Sequence, residues 1–165
     1  MRMSPVHAWL LAALLPLAAQ ARQPPAIVAP PLRADRIHVD KSERRMQLLR
    51  DHRVIRTYRI RLGDEPVGAK RQQGDERTPE GTYRISDRNP NSRFHLSLRV
   101  SYHNEADRRQ ARARGVVPGD DIMIHGGSSP AWPYDWTDGC IAVSNAEIEE
   151  VWSLVPTGIP IRIDP

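Results

Sequence analysis

Residues 121–144 read DIMIHGGSSPAWPYDWTDGCIAVS: an apolar run that ends at His125, an aromatic loop, and a Gly-Cys pair at 139–140. Cys140 is the single cysteine of the 165-residue chain, so an intrachain disulfide does not account for it. Residues 121–125 predict a short strand, and side chains at strand ends can converge beside a loop. His125 and Cys140 are therefore a candidate reactive pair.

A cysteine needs activation before it attacks a carbonyl at neutral pH, because a free thiol has a pKa of about 8.5. A nearby imidazole is the simplest base for this purpose, which gives His125 its candidate role. Gly139 leaves room beside the sulfur and, with Cys140, offers backbone amides to an oxyanion. The competing interpretation is a buried, inert cysteine and a satisfied core histidine. These residues alone leave both interpretations open.

Alternating apolar and polar residues predict short strands along most of the chain. The strands are predicted at 36–40, 45–49, 54–62, 82–85, 94–100, 121–125 and 159–163. Asn104 and Ser144 predict the N-caps of helices over 104–114 and 144–154, the second through a Ser-x-x-Glu capping box. The sequence therefore predicts one mainly β domain with two short helices.

The N-terminal residues predict export. Residues 1–21 combine a basic n-region, an apolar run at 9–19 and an Ala-Gln-Ala cleavage site, which is the pattern of a signal peptide. Residues 22–34 are rich in proline and predict a PPII-like linker, and 35–165 are the predicted folded domain. We expect a periplasmic protein without a membrane span after cleavage, because the apolar run is too short to cross a bilayer.

Charge and ligand count argue against several classes of protein. The chain has 24 basic and 20 acidic residues, and this weak net charge of +4 predicts no nucleic-acid partner. Its histidines are scattered and it has one cysteine, so no metal site is predicted. A Cys-x-x-Cys pair and a phosphate-binding glycine loop are both missing from the sequence, and no cofactor is expected.

Two motifs stand out along the chain. The first is Ile124-His125-Gly126 followed by Thr137-Asp138-Gly139-Cys140-Ile141, and the second is the turn Arg77-Thr78-Pro79-Glu80-Gly81-Thr82-Tyr83. Together they resemble the His-Gly, Ser/Thr-x-Gly-Cys and Thr-Pro-x-Gly motifs of the YkuD-type L,D-transpeptidase catalytic domain family. The resemblance covers about residues 35–165 and implies one YkuD-like domain of β-sandwich or barrel-like sheets with two short helices.

The resemblance implies a role for each residue of the site. Cys140 is the expected nucleophile, which forms a thioester with the substrate, and His125 is the expected general base. The backbone carbonyl of Gly126 is the expected third member of the triad. The amides of Gly139 and Cys140 are the expected oxyanion hole.

The resemblance also implies a substrate, the stem peptides of peptidoglycan. The enzyme would attack the bond after the L-centre of a diamino acid in a stem tetrapeptide, release D-Ala, and pass the acyl group to an amine of another stem or of a wall-attached protein. Two positions depart from the family pattern, since Asp138 often is His and Ala142 nearly always is Arg. The alternatives are an L,D-carboxypeptidase or endopeptidase that transfers to water, and a non-catalytic wall-binding module.

Aromatic residues are concentrated in the loop between His125 and Cys140. Trp132, Tyr134 and Trp136 could stack on a sugar or form a wall of the acyl pocket, and Tyr102 is a further candidate for the cleft. The alternative is that these rings anchor the loop to the core, since tryptophan buries a large apolar area.

Overall fold

The computed structural model describes residues 23–129 and 131–165. The predicted signal peptide at 1–21 lies outside the described residues. Within these residues, two helices and eight strands follow a short 3-10 turn at Pro30–Leu32. The strands are β1 (Arg36–Asp40), β2 (Arg45–Arg50), β3 (Arg53–Arg59), β4 (Gly81–Ser92), β5 (His95–Val100), β6 (Met123–His125), β7 (Ile141–Ala142) and β8 (Pro160–Asp164). The helices are α1 (Glu105–Ala113) and α2 (Asn145–Leu154), and the predicted mainly β domain with two helices is confirmed.

The strands form one sheet in the order β3-β2-β1-β8-β4-β5-β6-β7. Neighbours are antiparallel except for β1 with β8 and β6 with β7. The chain continues from β3 to Arg61, which pairs antiparallel with Ala142 of β7 at the other end of the order. This bridge joins the two edges, so the sheet curls into the barrel-like form that the resemblance implied.

Alternation of apolar and polar residues explains how β1, β2 and β8 contribute to the core. Every second residue of these strands is buried, and Ile37, Val39, Met46, Leu48, Ile161 and Ile163 are each at most 1% exposed. The β2–β3 hairpin turns at Asp51 and His52, whose φ angles of 47° and 62° are those of a two-residue type I′ turn. Periodicity in the sequence thus corresponds directly to burial in this half of the sheet.

Strand β4 is longer than predicted and links the two halves of the sheet. Its first residues, from Gly81 to Arg84, pair with β8, and the rest pair with β5 across two irregularities of register. The prediction ended at residue 85 because the sequence SDRNPNS that follows lacks alternation. Most of that segment is exposed, so hairpin pairing and not burial extends the strand.

Both predicted helix starts are confirmed. Asn104 with Asp107, and Ser144 with Glu147, each form a reciprocal capping box. Helix α2 buries Ile148, Val151, Trp152 and Leu154 against the sheet. Neither helix of the described chain is long and apolar enough to cross a bilayer.

The proline-rich segment before β1, predicted as a PPII-like linker, is mostly exposed and is held to the domain at Val28 and Ala34. The Val28 N–H donates to Ser153 O, the Ala34 N–H donates to Leu154 O, and Ala34 is buried. Pro30 opens the 3-10 turn, because its fixed φ suits a first helical position. Residues Val28 and Ala34 supply the apolar contacts that attach the segment to the end of α2.

Candidate active site

The register of β6 and β7 sets the relation between His125 and Cys140. The two strands are parallel, with Ile124 opposite Ile141 and His125 opposite Ala142. Side chains opposite each other share a face of a sheet, as do residues two apart along a strand. His125 and Ala142 therefore share one face, and Cys140 directly precedes β7, two residues before Ala142.

His125 is buried beneath two aromatic rings. Phe94 stacks on the imidazole with ring centroids 4.5 Å apart, and the Trp136 indole meets it edge-on at 5.7 Å. The Nδ1 atom lies 2.6 Å from Gly126 O. A carbonyl only accepts, so Nδ1 carries the proton and Nε2 is left as the basic nitrogen. Burial lowers the pKa of His125, although the bond to Gly126 opposes that shift, so the resting imidazole is neutral.

Cys140 lies partly exposed beside the start of β6. Its Sγ is 3.4 Å from Asp121 O. Burial raises the pKa of the Cys140 thiol, the Met123 N–H lowers it, and the charges of Asp138 and Asp121 raise it further. The thiol is therefore protonated at neutral pH. Both side chains are therefore uncharged at neutral pH.

Thr137 holds the loop before Cys140 from inside. Its hydroxyl donates to Cys140 O at 2.8 Å and accepts from the Gly139 N–H at 3.2 Å. These two bonds flank the 139–140 peptide unit and fix its orientation. Gly139 has a φ of 116°, and a Cβ there would lie 2.5 Å from Arg77 O, so only glycine fits against the Thr78 turn. The two sequence motifs therefore meet at this point.

Gly126 is required by space. A Cβ at Gly126 would lie 2.7 Å from Asn145 Oδ1 and 2.8 Å from Phe94 O. The same Asn145 oxygen accepts from the Gly127 N–H at 2.8 Å, at the first residue of α2. The start of α2 thus holds the segment whose carbonyl accepts the His125 proton.

The aromatic loop residues have different positions. Trp136 contacts His125, and Trp132 meets Trp136 edge-on at 6.3 Å. Tyr134 is 60% exposed on the same loop. The loop is also anchored, because the Leu62 N–H donates to Asp135 Oδ1 and the Trp136 N–H donates to Leu62 O. The structure thus contains features of both sequence interpretations of this loop.

Tyr102 lies apart from this group. It is 4% exposed, its hydroxyl donates to Pro118 O at 2.9 Å, and its ring meets Tyr83 and His103. None of the contacts found for Tyr102 within the described residues reaches His125 or Trp136. Among those same residues, no group of three His, Cys, Asp or Glu side chains is arranged to hold a metal ion.

Two residues near His125 and Ala142 could not be assigned to the site from their local sequence. Phe94, the chain's only phenylalanine, was predicted as the start of a strand, and it covers His125 instead. Arg61 was predicted within an alternating strand, and it is buried opposite Ala142. Only the order of strands in the sheet brings either residue to the β6–β7 pair.

Sequence comparison assigns the chain to a family. The family model of the L,D-transpeptidase catalytic domain, YkuD, matches residues 34–163. A relative from Escherichia coli K12, YafK, named as a candidate L,D-transpeptidase, is 30% identical over 126 residues. That match covers 72% of this chain and 46% of the relative. The chain therefore spans about half the length of the curated relatives that it matches.

Solved structures share the fold. The helical cell shape determining protein Pgp2 from Campylobacter jejuni superposes with a TM-score of 0.63 at 21% identity, covering 79% of this chain and 47% of that one. An L,D-transpeptidase from Xylanimonas cellulosilytica superposes with a TM-score of 0.55 at 20% identity, covering 90% and 67%. At these identities the likeness concerns the fold.

Proposed function

Because the chain belongs to the YkuD family of L,D-transpeptidase catalytic domains, we propose that it is an exported cysteine L,D-transpeptidase of peptidoglycan. The observation that carries the proposal is the 2.6 Å bond between His125 Nδ1 and Gly126 O, in the strand paired with β7, which directly follows Cys140. It assigns the imidazole a single tautomer, with Nε2 free to accept a proton from the thiol. The Gly126 carbonyl thereby has the part that an acidic residue has in other triads.

The first half-reaction forms a thioester. As Sγ of Cys140 bonds to the carbonyl carbon after the L-centre of the diamino acid, its proton passes to His125 Nε2. The C–N bond to the terminal residue then breaks, and the same proton goes to the leaving amine of D-Ala. His125 is neutral before and after this half-reaction, in keeping with its lowered pKa.

The tetrahedral intermediate between these steps carries an oxyanion. The Cys140 N–H is the main donor in our account, because Thr137 fixes the peptide unit that contains it. The Gly139 N–H is the second donor, and it shares its proton with Thr137 Oγ1. Removing a single oxyanion donor typically slows an acyl transfer by about 10²–10³-fold.

The second half-reaction transfers the acyl group to an amine. A stem peptide or a wall-attached protein supplies that amine, which loses a proton to His125 as it attacks the thioester. The proposed role is peptidoglycan cross-linking or remodelling in the periplasm, after removal of residues 1–21. Transfer to water in place of an amine is the carboxypeptidase or endopeptidase alternative.

Masses of the products test the proposal. Purified mature protein is incubated with disaccharide-tetrapeptide, and Cys140→Ala serves as the control. We expect a cross-linked dimer and released D-Ala from the wild type, and unchanged substrate from the variant. Tripeptide without dimer would assign a hydrolase. Unchanged substrate with wild-type protein, or turnover by Cys140→Ala, would overturn the thioester mechanism and leave a wall-binding module.

A further inference from the structure

Arg61 is a buried cation without an acidic partner. It is 7% exposed, and its Nε donates to Trp132 O at 2.8 Å while Nη1 donates to Ile60 O at 3.2 Å. Both acceptors are neutral backbone carbonyls. Within the described part of the chain, no carboxylate lies within ion-pair distance of this guanidinium. A buried charge usually has a counter-charge, so an anion is missing from its surroundings.

The Arg61 side chain belongs to the face of the sheet that carries His125. Arg61 and Ala142 form a hydrogen-bonded antiparallel pair, with N–O distances of 2.9 and 2.8 Å in the two directions. Opposite residues of such a pair have Cα atoms about 5.5 Å apart and side chains on one face. His125 flanks Ala142 on the other side, and Cys140 precedes it by two residues. Ala142 has only a methyl group, which leaves this space to the Arg61 side chain.

A cavity opens beside the guanidinium. Its volume is about 90 Å³, and it is lined by Arg59, Arg61, Ser128, Ser129, Ser144 and Glu147. The one acidic side chain there is occupied, since Glu147 Oε2 accepts from the Ser144 N–H at 2.8 Å and from its hydroxyl at 2.7 Å. Two arginines against one engaged carboxylate leave the cavity positive. The hydroxyls of Ser128 and Ser129 can donate to a bound anion.

We propose that Arg61 binds a carboxylate of the stem peptide adjacent to the scissile bond, which makes it a specificity-determining residue. The inference rests on the proposed function, and it assigns the substrate an acidic group that must be free. A tetrapeptide offers two such groups within one residue of the bond. They are the terminal carboxylate of the leaving D-Ala and the second carboxylate of a diaminodicarboxylic acid. Arginine suits either group, because its planar fork matches a carboxylate.

Three synthetic disaccharide-tetrapeptides distinguish the two sources. One has both carboxylates free, one has a C-terminal amide, and one has the second carboxylate of the diamino acid amidated. The kcat/KM of each is measured with wild type, Arg61→Met, Arg61→Lys and the control Arg53→Met. Arg53 is exposed on β3, so its replacement removes a charge without touching the cavity.

We expect one of the two amides to react at least tenfold more slowly than the free acid with wild type and with Arg53→Met. With Arg61→Met, the acid and that amide react at equal, low rates, and Arg61→Lys retains part of the preference. A merely structural role of Arg61 in holding Trp132 would lower both rates and leave their ratio unchanged. Equal rates for all three substrates with wild type, or an unchanged ratio in Arg61→Met, would overturn the inference and leave the proposed function intact.

Failure of the proposed function has a different signature. If the wild type turns over none of the peptides, binding of the three to Cys140→Ala and to Cys140→Ala/Arg61→Met is measured by calorimetry. Binding that weakens at least tenfold on amidation, and only when Arg61 is present, supports the carboxylate site without the reaction. Binding insensitive to amidation, or absent, overturns it.

Discussion

The half of the sheet formed by β1, β2 and β8 buries apolar side chains from strand to strand, whereas the β6–β7 end buries polar side chains beside its apolar ones. Ile37, Val39, Ile161 and Ile163 belong to the first region. In the second, His125, Thr137 and Arg61 are buried, and each is bonded to a backbone carbonyl. Burial of apolar surface in the first region stabilises the fold. Burial of polar groups in the second region costs free energy, and the stability of the rest of the fold offsets that cost. Activity and stability should therefore be separable by mutation.

The largest expected effect is that of His125→Gln on activity. The variant removes the base, and kcat/KM should fall about 10³-fold, within the range for a lost general base. The measurement is release of D-Ala from disaccharide-tetrapeptide, with His52→Gln in the exposed β2–β3 turn as the matched control. Retention of more than a tenth of wild-type activity by His125→Gln would remove the imidazole from the mechanism.

Replacement of Ile163 by alanine should lower the stability of the fold and leave the activity nearly unchanged. Ile163 is fully buried in β8, so the cavity should lower the free energy of unfolding by about 2–5 kcal/mol. The kcat of the folded molecules should stay within about twofold, because β8 pairs with β1 and β4 and not with the strands of the site. Urea unfolding and activity without urea are the two measurements, with the half-exposed Val54→Ala as control. A loss of kcat without a loss of stability would contradict the separation of the two regions.

The pH dependence of kcat/KM should have its acid limb below the usual histidine range. Burial lowers the pKa of His125, and the base acts in its neutral form, so activity persists as the pH falls below about 6.5. Below the pKa of His125, kcat/KM decreases tenfold per pH unit. Phe94→Ala uncovers the imidazole and should move the limb upward. A wild-type limb above the usual range would show a charged resting imidazole.

The smallest expected effect is that of Asp138→Asn on the reactivity of the Cys140 thiol. The Asp138 carboxylate raises the pKa of the thiol, so Asp138→Asn should increase alkylation by iodoacetamide at pH 8. An exposed charge is screened by salt, and the increase should be about two- to threefold at low ionic strength and vanish at high. Asp51→Asn, in a turn remote from the site, is the control. A decrease in alkylation would mean that Asp138 promotes the thiolate.

Local signals in the sequence were sufficient for the apolar region. Strict alternation in β1, β2 and β8, and a capping box at the start of α2, each depend only on neighbouring residues, and all correspond to the observed elements. The candidate pair also came from local signals, because His125 and Cys140 lie in a compact motif. Their roles remain a prediction, which the geometry makes specific.

The surroundings of that pair depend on the order of the strands. Phe94 precedes β5 and Arg61 follows β3, so both are far in sequence from Cys140. They reach the site because β5 pairs with β6 and because residue 61 closes the sheet onto β7. Strand β7 has two residues, too few for any periodicity to be visible. The pairing of strands that are distant along the chain could not be predicted from this single sequence.

The intact mass of the protein during turnover tests the central claim most directly. Wild-type protein is mixed with disaccharide-tetrapeptide, quenched in acid within the first turnover, and compared with Cys140→Ala. The account predicts an added mass equal to the substrate minus D-Ala, located on the peptide that contains Cys140 and removed by hydroxylamine. A wild-type protein that releases D-Ala without this adduct, or an adduct on Cys140→Ala, would contradict it.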